Sequence, residues 1–423
     1  MREASPVKLR PAPFPDSLPT TAFAFRGYNV ANLGRTPELL DHPVYGPIVE
    51  AVLREGSEVC SDATGRPVDL VARVQRREET RDLSTYAEDV ALVVSMSVAQ
   101  MRLLTERFNV PFQRAKLAFG YSLGEATALV AAGVYEMQDL LRVPLAMAAD
   151  SIDLARDVTM GVLFSRGPAL DPLAVQRLCL EINQKGDGVI GVSAILSPNC
   201  LLLLGQRDTI DRFAERRREH LAGTVSLRKN PNRWPPLHTQ ITWQRSIPNR
   251  AAVMLQAIPG GLVAPPLPIL SGVTGEFSYT AQNSRDLLHK WVDHPQRLWD
   301  QIIGVLKAGV RTVVHVGPAP NLIPATFKRL AEDVRGQLNG RSPGSLGRRV
   351  VSRMVDRPWL APLLPADAVL LRAPTIRHLN LEDWLLDQKV TPKQGTQIQE
   401  LGDPSQSAGF AGQMVVNQIV DRV

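Results

Sequence analysis

The chain has 423 residues, 44% hydrophobic and 21% charged, enough to bury a substantial core in two domains with a smaller appendage. No run of about 18 apolar residues occurs and the proline-rich N-terminus has no apolar segment, so neither a membrane helix nor a secretory signal is expected. The net charge of +6 is spread along the chain without interleaved aromatics, which argues against nucleic acid and suits an acidic protein partner or a phosphate-bearing substrate. Three cysteines, Cys60, Cys179 and Cys200, are too few and too scattered for a disulfide framework or a metal site, and point to a reducing, cytoplasmic setting.

In chain order, residues 1–20 read as a Pro-rich arm, followed by a strand over Ala22–Phe25 and a loop at Arg26-Gly27-Tyr28-Asn29. Residues 37–80 are polar with interrupted helical character. Apolar residues at helical spacing from Val90 to Leu104 predict a buried helix over Tyr86–Arg107. The run Leu117–Phe119 ends at Gly120 and leads into an Ala/Leu-rich helical pattern. A further helical segment spans Met137–Ala155, kinked or restarted at Pro144. Strands over Met160–Ser165, Val189–Ile195, Leu201–Gly205 and Thr224–Arg228 alternate with helices over Pro172–Asn183 and Thr209–Leu221. That order, β-α-β-β-α-β, predicts a ferredoxin-like subdomain over 158–229, inserted in a larger α/β core of residues 21–157 and 230–332. The core resumes with a strand at Leu267–Ser271, a helix at Arg297–Ala308 and a strand at Thr312–Val316, closed by Gly317-Pro318. Residues 333–423 read as a tail. In it, Gly336–Arg349 has linker composition, apolar patches lie at Trp359–Leu364 and Val369–Leu371, and a Gln/Gly/Ser-rich end from Lys393 looks disordered.

The chemistry concentrates at Gly120-Tyr-Ser-Leu-Gly124, where strand, tight turn and helix carry Ser122 at the apex. The flanking glycines allow strained dihedrals and close backbone approach, and the helix N-terminus favours negative charge beside the hydroxyl. This is a hydrolase-like nucleophile elbow, suited to a covalent ester. A serine needs a base, and histidine is the usual one at neutral pH. Of seven histidines, His42 and His220 lie in polar segments and His315 in an apolar strand. His289 and His294 flank Trp291, and His238 lies in the loop returning from the small domain toward the interdomain cleft. Composition leaves His238, His289 and His294 as candidates.

Gly120-Tyr-Ser-Leu-Gly-Glu125, followed by Ala128-Leu-Val-Ala-Ala-Gly133, resembles the Gly-His-Ser-Leu-Gly-Glu elbow of the malonyl-CoA:acyl-carrier-protein transacylases, the acyltransferases of fatty-acid and polyketide synthesis. The resemblance covers about residues 20–332, and Val316-Gly-Pro-Ala319 is similar to the family's late Val-Gly-Pro-Gly turn. It implies ping-pong transfer of an acyl group from coenzyme A, through an acyl-serine, to the phosphopantetheine thiol of an acyl carrier protein. No bound cofactor is expected. His238, 116 residues after the serine, falls at the family's catalytic histidine. Its orientation is expected from the backbone carbonyl of Trp291, where the family usually has glutamine. The oxyanion hole is expected from the backbone N–H groups of Leu123 and Tyr28. Tyr121 replaces the family's histidine beside the nucleophile.

The resemblance has departures that bear on substrate. Malonyl-specific members carry an arginine 25 residues after the serine, where this chain has Met147. The family's preceding Gln-Pro pair is matched to Glu88-Asp89, an unwelcoming neighbour for an anion. Met147, Tyr121 and Glu88 are therefore expected to shape the acyl site and to disfavour malonate, unless Arg26 or Arg166 replaces the missing cation. A monomer is expected. The competing readings are a catalytically degenerate scaffold, motivated by the altered positions, and an α/β-hydrolase, against which the inserted subdomain argues.

Overall fold

In the computed structural model, residue 14 and residues 17–79, 82–221, 223–357 and 360–390 are described. Most of the Pro-rich arm, Trp359 and the polar end from Lys393 lie outside them.

Among the described residues, nine strands form two sheets. In chain order they are β1 (Thr21–Phe25), β2 (Leu117–Gly120), β3 (Val158–Ser165), β4 (Ile190–Ser197), β5 (Cys200–Gln206), β6 (Val225–Lys229), β7 (Ile269–Leu270), β8 (Thr312–Val316) and β9 (Arg377–Asn380). The larger sheet is parallel throughout, in the order β7-β2-β1-β8-β9. Its central strands read as continuous apolar runs because helices cover both faces; every residue of β1, β2 and β8 is buried. The smaller sheet is antiparallel, in the order β4-β5-β3-β6, and packs its own core of Val175, Leu178, Phe213 and their neighbours under the helices Pro172–Asn183 and Thr209–His220.

Helical segments before and after the elbow pack close to it. Tyr86–Phe108 is buried along nearly its whole length, as its apolar spacing requires, and ends on Asn109 in the left-handed conformation. The helical segment after the elbow is two helices, Met137–Ala146 and Ala148–Ala155, meeting at Met147 three residues beyond Pro144. The small sheet is tied to the main unit at Gln296, which exchanges backbone hydrogen bonds with Ser193 and Ile195 beside β4.

The C-terminal region differs from its sequence reading. Residues 336–349, expected as a linker, are the end of the helix Leu322–Asn339 and the start of the helix Pro343–Val355. β9 then completes the main sheet, with His315 of β8 opposite Asn380. Glu382, fully buried, accepts the N–H groups of Arg35 and Ala319, while Leu381 and Leu385 are also buried. The glycine and serine content that suggested a linker is absorbed at helix ends: Ser342 caps Pro343–Val355 by accepting the Ser345 N–H. Thus the described part of the C-terminal region packs onto the main unit through β9 and the buried Leu381, Glu382 and Leu385.

Candidate active site

The elbow forms because two backbones must nearly touch. A Cβ on Gly120 would lie 2.0 Å from the Gly124 carbonyl carbon, and one on Gly124 would lie 2.1 Å from the Phe25 carbonyl oxygen. The glycines therefore serve close approach, while the strained conformation falls on Ser122 itself, at φ 54° and ψ −122°. This turn ends β2 and begins the helix Leu123–Ala131 with Ser122 as its N-cap residue.

Ser122 Oγ lies 2.7 Å from His238 Nε2. The His238 Nδ1–H donates to the Trp291 carbonyl at 2.6 Å, and the His238 backbone N–H donates to the Val292 carbonyl at 2.7 Å. The first of these bonds sets the tautomer, leaving the Nε2 lone pair free to accept from the serine hydroxyl. Burial pushes the His238 pKa down to about 4, against the raising effects of the Trp291 carbonyl and of Asp293, so the imidazole is neutral at pH 7. Trp291 also binds the other partner: its indole N–H donates to the Ser122 carbonyl at 2.9 Å. Leu123 and Tyr28 both line the cleft beside Ser122, and neither backbone N–H is bonded to another described residue. Among the described residues, no group of three or more His, Cys, Asp or Glu is placed to hold a metal.

The pair sits in a cleft of about 880 Å³. Its inner wall includes Tyr28, Tyr86, Tyr121 and Trp291, the small sheet contributes Met160 and Leu202, and the C-terminal helices contribute Leu322, Arg329 and Arg348. Residues read from sequence as linker and tail, among them Val334, Arg348, Val351 and Leu370, thus line part of the cleft. The cations among its lining residues are Arg329 and Arg348, both exposed.

Several expected site residues stand elsewhere. Glu88 does not line the cleft; it pairs with Arg66 at 3.1 Å and Arg73 at 3.6 Å on the outer side of its helix. The neighbouring Asp89 is buried in an ion pair with Arg73 at 2.5 Å, although burial pushes its carboxyl up to about 6. Tyr86, two residues before Glu88, holds the place in the cleft instead, edge-on to Tyr28. Met147 does not face the large cleft but a small apolar space behind it. Arg26 is buried and occupied with the carbonyls of Gly27 and Pro318 and the side chain of Asn32, and Arg166 lies over the Phe164 ring. Neither lines the cleft. His289 lies in the last turn of the helix Ser284–Trp291, and the exposed His294 bonds Asp293; neither lines the cleft. His315 pairs with His378 across β8 and β9, 3.0 Å apart.

Two participants escaped sequence reasoning. Gln296, 1% exposed, accepts the Ser122 N–H on its Oε1 at 3.2 Å. Glu125 is fully buried beneath the elbow, accepting the Tyr279 hydroxyl at 2.7 Å, and burial pushes its carboxyl up to about 7. No local pattern marks Gln296, which lies 174 residues from the serine it touches. Glu125, by contrast, stood in plain view within the elbow motif.

No family model matches the chain. It is 25% identical over 319 residues to the malonyl CoA-acyl carrier protein transacylase of Salmonella typhimurium, covering 74% of this chain and 93% of that protein. It is also 25% identical over 308 residues to the polyketide synthase GfsA of Streptomyces halstedii, covering 70% of this chain but spanning only 4% of the synthase. Among solved structures, FabD from Acinetobacter baumannii superposes with a TM-score of 0.59 at 19% identity, over 74% of this chain and 91% of that one.

Proposed function

Because the chain belongs to the malonyl-CoA:acyl-carrier-protein transacylase family of acyltransferases, we propose that it transfers an acyl group from coenzyme A to an acyl carrier protein, through an ester on Ser122, in fatty-acid or polyketide synthesis. The observation that carries this reading is the chain of contacts Ser122 Oγ–His238 Nε2–His238 Nδ1–Trp291 carbonyl, set at the apex of an elbow and open to a deep cleft. A degenerate scaffold has no use for an intact nucleophile and base held at 2.7 Å.

In the first half-reaction the Ser122 hydroxyl attacks the thioester carbonyl carbon while its proton passes to His238 Nε2. The Leu123 and Tyr28 N–H groups, unbonded among the described residues, take the negative charge on the carbonyl oxygen. The C–S bond then breaks and the departing sulfur takes the proton from the imidazolium. The Trp291 carbonyl steadies that cation, a backbone role that the change from glutamine to tryptophan leaves intact. The second half-reaction reverses these steps with the phosphopantetheine thiol as nucleophile: His238 accepts its proton, sulfur attacks the ester, and Ser122 recovers its hydrogen.

The reacting groups are the thioester of the donor, the thiol of the acceptor, and the side chains of Ser122 and His238, so the reading needs no bound cofactor. The order β4-β5-β3-β6, with its two helices, supports a ferredoxin-like subdomain set on a hydrolase-like core. A cytoplasmic monomer is the setting the reading takes. Among the described residues no helix is long and apolar enough to cross a membrane.

The test is incubation with labelled acyl-CoA followed by peptide mass spectrometry. Label is expected on Ser122 and is expected to vanish in Ser122→Ala without loss of the thermal transition. A labelled Ser122→Ala protein would remove the assignment, and steady release of free acid without transfer to a carrier thiol would favour a hydrolase.

A further inference from the structure

The cleft does not exhaust the space around the reacting pair. Behind it lies a second cavity of about 30 Å³, room for one group the size of a water molecule or a methyl. Tyr86, Leu123, Pro144, Leu237 and Trp291 line both spaces. Three of them are tied directly to the chemistry. Leu123 follows Ser122, Leu237 precedes His238, and Trp291 bonds both through its carbonyl and its indole. The far wall includes Leu140, Met147, Ala251 and Leu255, all buried.

We propose that this cavity receives the end of the transferred acyl group, and that it selects a short saturated chain ending in a methyl, of acetyl or propionyl size, with Met147 as the residue that sets the limit. The inference rests on the acyltransferase reading above and names the substrate of that same site. The lining is almost wholly hydrocarbon, with a thioether at Met147 and hydroxyls only on Tyr86 and Ser151. No lysine, arginine or histidine is among its lining residues, and the Arg and Lys residues adjacent to them in sequence, Arg142, Arg250 and Lys290, pair with Asp62, Asp150 and Asp286. A terminal carboxylate would be buried there without a partner, whereas a methyl gains by leaving water. The volume admits one such group, and a longer chain must displace Met147 or Leu255 from a packed core. The large cleft is left for the pantetheine arm of donor and acceptor, which must reach Ser122 from outside.

The experiment measures acyl-Ser122 formation and kcat/KM on the full chain with acetyl-, propionyl-, hexanoyl- and malonyl-CoA. Acetyl or propionyl is expected to exceed hexanoyl and malonyl by about tenfold or more, since one methylene in an apolar pocket is worth about 10–200-fold. Met147→Ala is expected to raise the hexanoyl-to-acetyl ratio by about tenfold. Ala251→Val, which fills the cavity from the same far wall, keeps the test open if Met147→Ala fails to fold; it is expected to lower propionyl transfer more than acetyl transfer. The inference is overturned if wild type acylates on Ser122 with hexanoyl or malonyl as readily as with acetyl, or if the folded variants leave the ratios unchanged. Absence of label from every acyl-CoA would strike the acyltransferase reading itself, a separate and recognisable failure.

Discussion

Gln296→Met should slow acylation of Ser122 while leaving substrate binding largely untouched. Gln296 Oε1 is the acceptor for the Ser122 N–H at 3.2 Å, in a site only 1% exposed. Methionine has similar length and no comparable acceptor, so the half-buried Ser122 N–H loses its protein partner, at a cost of up to about 1–3 kcal/mol. Ser122 holds a positive φ of 54° that costs a non-glycine residue about 1–3 kcal/mol. The bond and the strain are therefore of the same size, and removing the bond lets the elbow relax away from the aligned geometry. Each 1.36 kcal/mol is tenfold in rate, so the rate of acylation should fall about 5–150-fold. The backbone bonds of Gln296 to Ser193 and Ile195 survive the substitution, which keeps the two sheets joined. Rapid-quench mass spectrometry of acyl-Ser122 with acetyl-CoA gives the rate, and a thermal melt reports the fold. A variant within twofold of wild type in rate refutes the reasoning. A drop in Tm with an unchanged rate refutes it equally, because the bond would then serve the fold alone.

The pH dependence of acylation should lack a limb between pH 6 and 7. His238 titrates near 4 in the fold, so its Nε2 stays free to accept the serine proton until the pH falls toward that value; a limb centred near 6.5 in a stopped-time assay would show that burial does not hold the imidazole neutral. A chain ending at Asn339 should not fold, in contrast to what its linker-like composition suggests. It loses β9 and the buried Ile376, Leu381, Trp384 and Leu385, at about 1.5–3 kcal/mol each, a sum on the scale of a whole domain's stability; a cooperative melt and retained acylation in that truncation would overturn this.

Sequence alone determined what is local. Spacing of apolar residues placed the helix at Tyr86 and the strands around it, because period and flanking glycines act over a few residues. The two elbow glycines, with Ser122 between them, were legible for the same reason, and the resemblance to a family singled out His238 among three open candidates. The tertiary structure alone decided what depends on distant segments meeting. Gln296 reaches Ser122 across 174 residues, and no pattern at either end announces it. Glu88 and Tyr86 lie two residues apart, yet helical rotation turns one out to Arg66 and the other into the cleft. The C-terminal segment looked like a linker because its glycines and serines weigh heavily in composition. Its few buried groups, Leu381, Glu382 and Leu385, acquire their meaning only against Arg35, Ala319 and Tyr45, more than sixty residues away or at the opposite end of the chain. Secondary structure is written in neighbours, but a catalytic site is a meeting of strangers, and burial of the apolar surface between them is the force that arranges it.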